Sequence, residues 1–456
     1  MSGIPAVLLV AGVFTVVGVV EGARRSLRAG RLDLFHPMIF ASVYVALVCL
    51  VPCGRLWLSP TGESGMRISR FMLAEHTPWL MALAVVGFTL GCAMPFRQKA
   101  IRAGTPMRPE VLATFGRMLI LVPMGVVGLG FANGGVAERG AGQNEVTFLD
   151  SLYAARDILA PTAVALMLAA RFLQGRKLFG GIDAVLIATM VGLIGLIGER
   201  GPALAILIIF LVFATRRRGA LLTSVLGLAG VLAFALVVMA YRTTAVGLSN
   251  QEPLIDMLLM DSMPLTLTTG LVAEQVAGGT HLGGATIVAG LLRQLPGPVS
   301  LYLFGQPDGT GVQEFRVIAG ETNDGFGWNF SLPAEGVLNF GTPGAFLLPF
   351  LAGLVIAWLY ARFDPAARRA SMVLYALAVS VLPMVFRTDT LGAVKIILYP
   401  AILLALAYSL AVFAHRARDV GRALDRPTGG RHRSGDRNQL AGAMAGGRLR
   451  VGSLVR

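Results

Sequence analysis

Long runs of apolar residues, separated by short polar stretches, repeat along almost the whole chain. Most of these runs are long enough to cross about 30 Å of hydrocarbon as a helix. Because a helix satisfies its own backbone hydrogen bonds in lipid, we expect an all-α polytopic membrane protein with about eleven transmembrane helices. The predicted spans are residues 3–20, 35–52, 77–95, 118–132, 158–172, 182–197, 203–215, 220–240, 342–360, 370–386 and 394–414, of which the fifth and seventh are short.

The pattern changes between residues 241 and 341, where charged, polar and apolar residues are mixed. This segment predicts one large loop with amphipathic helices around Leu254–Leu267 and Thr286–Leu295, either lying along the interface or re-entrant. The segment after the last apolar run is basic and too poor in apolar residues to fold alone, so we expect it to be disordered. The chain thus divides into four regions: an N-terminal bundle of about eight spans (1–240), the loop (241–341), a C-terminal bundle of three spans (342–414) and a basic cytoplasmic tail (415–456).

Positive charge is concentrated in alternate loops. With the N-terminus outside, most of the 39 Lys and Arg lie on the cytoplasmic side and most of the 25 Asp and Glu lie outside. Because basic loops stay on the cytoplasmic side during insertion, we predict that the C-terminus is cytoplasmic and that the large loop is extracytoplasmic. Arg24 and Arg25 follow the first run and no basic residue precedes it, so this run is expected to remain as an anchor. Arg far outnumbers Lys, and Ala and Gly are abundant, as in a GC-rich bacterium. The predicted location is therefore a bacterial cytoplasmic membrane.

Composition excludes several classes of protein. Hydrophobic residues make up 55% of the chain and charged residues 14%, values outside the range of soluble globular proteins. The net charge of +14 is spread along the inner membrane face without interleaved aromatic residues, which argues against nucleic acid as a partner. Cys49, Cys53 and Cys92 lie in or beside apolar runs without Cys or His at ligand spacing, so we interpret them as packing residues.

Outward-facing arginines are the first candidates for chemistry, because the outer side is otherwise acidic. Arg200 lies in the Gly-Glu-Arg-Gly turn at 198–201, Arg242 follows the eighth run, and Arg293 and Arg316 lie in the large loop. A guanidinium donates two parallel hydrogen bonds to phosphate oxygens and stays charged at physiological pH. We interpret the four as candidate ligands of a lipid-linked diphosphate. The alternative is a simple turn at the interface for Arg200, and a solvated or snorkelling side chain for the other three.

Charged residues are almost absent from the middles of the predicted spans. Ion-coupled transporters usually place ionisable side chains near the membrane midplane, so this pattern favours chemistry at the outer surface. No Asp-x-Asp sequence occurs, which argues against a nucleotide-sugar site built around a divalent cation. We therefore expect no metal and no cofactor.

The end of the large loop carries a more specific pattern. Glu335 is followed by the sequence at 339–341, Asn-Phe-Gly, and then by Gly344, which leads into a hydrophobic helix. At this point the chain resembles the oligosaccharide repeat-unit polymerases, the Wzy-type O-antigen polymerase family. The Leu-Pro pair at 295–296, the turn at 198–201 and the arrangement of many spans around one outer loop support the resemblance.

The resemblance implies an inverting glycosyl transfer. A glycan on undecaprenyl diphosphate would pass to a sugar hydroxyl of a second lipid-linked repeat unit, without a metal or another cofactor. The implied partners are the lipid-linked oligosaccharide, membrane lipids, a chain-length regulator and a flippase. Such a reaction needs a stabiliser for the departing diphosphate, which the arginines would supply, and a base for the attacking hydroxyl.

Glu335 is the first candidate for the base and His281 the second. Glu335 lies near the boundary of a span, where loss of water raises the pKa of a carboxyl group. The alternative for Glu335 is a structural role, capping the turn before the ninth span, and a lone loop histidine such as His281 is often incidental. The glycines after His281 do not match the spacing found in O-antigen ligases. Two other functions remain open: a ligase-like glycan transferase, and a transporter or flippase of lipid-linked glycan.

Overall fold

The structure is a computed structural model. It describes residues 4–28, 32–58, 76–96, 108–132, 148–196, 201–218, 227, 229–230, 233, 236–237, 263–295, 297–304, 309–318, 330–362 and 370–424. Every regular element in these ranges is a helix and none is a β-strand, which confirms the predicted all-α class.

Most of the eighth predicted span lies outside the described residues, and each of the other ten contains a helix. In chain order the helices are α1 (Ile4–Arg28), α2 (Phe40–Leu58), α3 (Thr77–Ala93), α4 (Pro109–Ala132), α5 (Phe148–Leu173), α6 (Gly181–Leu196), α7 (Gly201–Arg218), α8 (Met263–Val276), α9 (Ala285–Leu292), α10 (Gly297–Phe304), α11 (Gly311–Ile318), α12 (Leu332–Phe340), α13 (Thr342–Ala361), α14 (Ala370–Ser380), α15 (Leu382–Val385) and α16 (Thr390–Leu424).

Among the described residues, four helices are long and apolar enough to cross a membrane. They contain the segments Ala6–Arg28, Pro109–Leu129, Thr342–Ala361 and Thr390–Asp419. Helices α2, α3, α6 and α7 are apolar but shorter. These helices indicate a membrane protein. The predicted number of eleven crossings, the four-region division and the orientation of the termini stay predictions.

Helix α5 lies within a hydrophobic core that several helices share. Its residues from Ala163 to Ala170 are completely buried, as expected for a helix that is apolar all round. It packs against α4, α7, α14 and α16. The helix begins at Phe148, ten residues before the predicted span, because the polar residues ahead of the apolar run extend the same helix.

Two boundaries predicted near the C-terminus differ from those in the structure. The tenth span is not one helix, because α14 ends at Ser380 and Pro383, which cannot donate a backbone hydrogen bond, stands in the first turn of α15. The tail expected to be disordered from residue 415 is helical as far as Leu424. Extending an existing helix needs no new nucleus, and Nε2 of His415 lies 3.2 Å from the carboxylate of Asp419 one turn later.

Helices α3 and α13 touch through glycines. A Cβ atom on Gly91 would lie 2.2 Å from the carbonyl oxygen of Phe350, and one on Gly353 would lie 2.3 Å from that of Phe88. Gly87 and Gly91 are four residues apart and therefore share a helix face. This is the small-residue spacing that lets membrane helices approach closely.

Replacing Gly91 by Ala is expected to lower the free energy of unfolding by about 2 kcal/mol, because the added methyl group would overlap backbone atoms that cannot rotate away. Thermal unfolding of the purified protein in detergent would measure the loss. Gly128→Ala in α4 is the matched control, since its added Cβ would meet no atom within 4 Å. Equal stability of the two variants would contradict the proposed backbone contact.

Candidate functional site

Short helices from the predicted outer loop pack directly on the long helices. Helix α8 contacts α2, α3 and α12, while α9 contacts α11, α12 and α16. The helix predicted at Thr286–Leu295 is confirmed as α9. The one predicted at Leu254–Leu267 falls mostly outside the described residues, and α8 begins at Met263. This part of the loop therefore forms a packed layer on the bundle.

The start of α12 and its turn into α13 are defined by local chemistry. The hydroxyl of Ser331 accepts a hydrogen bond from the backbone N–H of Ala334 at 3.1 Å and caps α12. Gly341 ends the helix with a φ of 66°, in the region that favours glycine. A Cβ atom on Gly336 would lie 2.1 Å from the carbonyl oxygen of Gly344, so α12 lies against the first turn of α13.

The carboxylate of Glu335 joins three helices. Its side chain is completely buried. Oε1 accepts a hydrogen bond from the hydroxyl of Thr286 in α9 at 3.0 Å. Oε2 accepts hydrogen bonds from the backbone N–H and the hydroxyl of Thr390, both at 2.7 Å, at the start of α16. Glu335 therefore binds α9 and α16 to α12, rather than capping the turn before α13.

Asn339 orients the hydroxyl that faces Glu335. Its Nδ2 atom donates to the oxygen of Thr286 at 2.7 Å and to the backbone carbonyl of Glu335 at 2.8 Å. Since Thr286 has one hydroxyl proton, it donates that proton to Glu335 when the carboxyl group is ionised. Two residues of the pattern that carries the resemblance, Glu335 and Asn339, therefore belong to one hydrogen-bond chain. The Oδ1 atom of Asn339 is buried and has no hydrogen-bond partner among the described residues.

A second carboxylate, Asp389, lies beside the first. Its Oδ1 accepts from the backbone N–H of Gly392 at 3.0 Å, as an N-cap of α16 does. Its Oδ2 accepts from the backbone N–H of Val312 at 3.2 Å, in the first turn of α11. A Cβ atom on Gly311 would lie 3.2 Å from both the Cβ of Asp389 and Oε1 of Glu335. Asp389 was not among the predicted site residues, although an Asp just before an apolar helix is a recognisable N-cap.

The environment of Glu335 shifts its titration towards neutral pH. Burial raises the pKa of Glu335 to about 7. The hydrogen bonds from Thr390 and Thr286 oppose this rise, and the negative charge of Asp389 adds to it. A carboxyl group with this pKa is able both to accept and to donate a proton near neutral pH, which suits general acid–base chemistry.

This pKa predicts a pH-dependent stability. Because the pKa of Glu335 rises from 4.5 to about 7 on folding, the folded chain holds the proton more tightly. The stabilisation from this group is complete below about pH 4.5 and is lost as the pH rises through about 7. The wild type and Glu335→Gln differ in free energy of unfolding, and this difference should therefore decrease as the pH rises from about 5 to about 8. Denaturation of both proteins across this range would measure it, and a constant difference would contradict the shift.

The two candidate bases lie apart. The imidazole of His281 is exposed and lies against Gly341, where an added Cβ atom would be 2.9 Å from its Cε1. Gly341 follows Glu335 by six residues, roughly 9 Å along the axis of α12. Among the described residues, Glu335 accepts its side-chain hydrogen bonds from Thr286 and Thr390, and none joins it to His281.

The four candidate arginines are only partly described. Arg293 directly follows α9 and Arg316 lies in the last turn of α11, and both are half-buried. The two helices that carry them pack against each other. Arg200 and Arg242 lie outside the described residues. A shared arginine clamp for a diphosphate therefore stays a prediction.

Comparison with known proteins gives no further guide to function. No protein-family model matches the chain, and neither curated proteins nor solved structures give a match. The function is therefore inferred from the residues of this chain alone.

Proposed function

We propose that this chain is a membrane glycosyltransferase that polymerises lipid-linked oligosaccharide repeat units. The proposed site of action is the extracytoplasmic face of a bacterial cytoplasmic membrane, with undecaprenyl diphosphate as the lipid carrier. The observation that supports this proposal most directly is the carboxyl group of Glu335, which is buried at the meeting point of three helices and has a pKa of about 7. Glu335 is also the residue that the sequence pattern nominates as the base.

In the proposed reaction, Glu335 takes the proton of the attacking sugar hydroxyl. The hydroxyl oxygen forms a bond to the anomeric carbon of the donor, and the bond from that carbon to the diphosphate oxygen breaks. Its electron pair leaves with the diphosphate, whose negative charge Arg293 and Arg316 would stabilise. Attack opposite to the leaving group inverts the configuration at the anomeric carbon.

The groups that donate hydrogen bonds to Glu335 determine how a substrate would reach its carboxylate. Both carboxylate oxygens already accept hydrogen bonds, from Thr286 and Thr390. A sugar hydroxyl would therefore replace the hydroxyl of Thr286 at Oε1, which requires α9 to move away from α12. Because Oε2 keeps two donors from Thr390, the carboxylate would stay oriented during this exchange.

A second function, transport of lipid-linked glycan coupled to protons, is favoured by the neighbouring carboxylates. Glu335 and Asp389 meet at the first residues of α16, a helix long enough to span a membrane. Buried acidic residues inside membrane segments carry protons in many transporters, although those residues lie nearer the middle of a span than this pair does. A ligase-like transferase would use the same base and differ in its acceptor.

One experiment separates the polymerase from the transporter. Purified protein in lipid nanodiscs is given an oligosaccharide linked to undecaprenyl diphosphate, and the products are separated by length. A polymerase forms a ladder of products without a proton gradient, and Glu335→Gln abolishes the ladder. Absence of a ladder, together with proton-dependent movement of the glycan lipid across the membrane of vesicles, would contradict the polymerase proposal and support transport.

A further inference from the structure

A separate cluster of charged residues joins α4, α5 and α6. The buried carboxylate of Asp183 accepts a hydrogen bond from Nε of Arg117 at 2.6 Å and from Nε of Arg171 at 2.5 Å. Two guanidinium groups thus share one acidic group, which leaves the cluster with an excess positive charge. The carboxylate also holds the two cations side by side in fixed positions.

The connection between α5 and α6 adds cations to this cluster. Arg171 donates hydrogen bonds to the backbone carbonyls of Lys177, at 3.0 Å, and of Gly180. The chain therefore folds around the guanidinium of Arg171, with Arg176 and Lys177 exposed at the surface. Both belong to a loop that the charge distribution predicts to be cytoplasmic.

Arg117 has donors available for a ligand. Its side chain is 38% exposed, and Asp183 engages only Nε. Its Nη1 and Nη2 atoms have no hydrogen-bond partner among the described residues. A guanidinium held at one nitrogen and open at the others is suited to a phosphate group.

Apolar side chains continue from the cluster along two helices. Met118 and Leu121 on α4, and Ile182 and Val185 on α6, are exposed large hydrophobic residues, and α4 packs against α6. Phe179, next to the cluster, is exposed as well. The cations of the cluster lie beside this exposed apolar surface. A phospholipid has the complementary arrangement, with a phosphate group next to its acyl chains.

We infer that α4, α5 and α6 form a binding site for an anionic phospholipid. Its phosphate binds Nη1 and Nη2 of Arg117 together with Lys177, and its acyl chains cover the exposed apolar residues of α4 and α6. An anionic headgroup is favoured over a zwitterionic one, because the cluster has more cations than acids and would repel a headgroup ammonium. This site does not depend on the proposed glycosyl transfer.

Native mass spectrometry of the full chain in detergent tests this site. The protein is titrated with phosphatidylglycerol and with phosphatidylcholine of the same acyl chains. We expect phosphatidylglycerol to bind about tenfold more tightly, and Arg117→Gln to remove about that factor. Arg24→Gln is the matched control, because Arg24 is an exposed arginine on α1 that pairs with Glu21. Equal loss in the two variants, or no loss in Arg117→Gln, would overturn the site.

Two further measurements distinguish a specific lipid-binding site from nonspecific electrostatic attraction of anions. Asp183→Asn makes the protein more positive but releases the guanidinium groups, so weaker binding is expected and stronger binding would overturn the proposal. Where Asp183→Asn unfolds, Arg117→Lys replaces it, since Lys keeps the charge but not the fork of donors, and unchanged binding would overturn the proposal.

Inorganic phosphate at the lipid concentration should not displace the lipid, because it lacks the acyl chains. Displacement would identify a phosphate site instead.

Discussion

Replacing Glu335 by Gln is expected to reduce glycan transfer at least about a hundredfold, the usual cost of losing a general base. Gln has nearly the same shape but cannot take a proton from a sugar hydroxyl. Its amide group would also place N–H donors against the donors of Thr286 or Thr390, which now face carboxylate oxygens. The initial rate of product formation from a lipid-linked oligosaccharide is the measurement. Binding of the donor lipid should persist, because its diphosphate does not bind to the base.

Glu274→Gln is the matched control for this experiment. Glu274 is an exposed acid on α8, in the same layer of short helices. We expect this variant to transfer glycan at the wild-type rate. Products of normal length from Glu335→Gln would remove Glu335 from the role of base and leave it as the link between α9, α12 and α16.

Replacing Asp389 by Ala is expected to lower the free energy of unfolding by about 3 kcal/mol. The change leaves the backbone N–H groups of Val312 and Gly392 without their acceptors, and each loss at a buried helix terminus costs about 1–2 kcal/mol. Thermal or denaturant unfolding in detergent would measure it. Asp419→Ala, at the exposed end of the same helix, is the control, and its surface contact with His415 contributes less than about 1 kcal/mol.

Asp389→Asn separates the charge of this residue from its capping role. The amide keeps one acceptor oxygen but removes the negative charge that raises the pKa of Glu335. The pKa of Glu335 should therefore fall below about 7, and the pH at which Glu335 loses its stabilising contribution should fall with it. An unchanged pH dependence would mean that burial alone raises the pKa of Glu335.

The long helices were largely predictable from the sequence, because hydrophobic run length depends only on neighbouring residues. Where prediction failed, a local effect competed with hydrophobicity. Pro383 interrupts a span that is mostly apolar, and the mixed residues after Phe148 join a helix that the apolar run alone would start later. The basic residues up to Leu424 are helical because α16 extends into them.

The site was predictable only in part. Glu335 could be selected from its position next to a glycine-rich turn and an apolar helix. Its partners could not, because Thr286 and Thr390 are separated from it by about fifty residues on either side and come close only through helix packing. Asp389 carried a capping pattern in the sequence, but its contact with Val312 is likewise a result of tertiary structure.

Helix α16 joins the two ends of the protein in one piece. Its 35 residues extend about 50 Å, which exceeds the thickness of the hydrocarbon layer. Its first residue donates to the carboxylate of Glu335, and its last turns carry Arg416 and Arg418. Pro400 is the one proline within it, and so the natural place for a bend. The helical backbone therefore fixes the distance between the basic residues and the carboxylate pair, and a bend at Pro400 would change the angle between the two halves of α16.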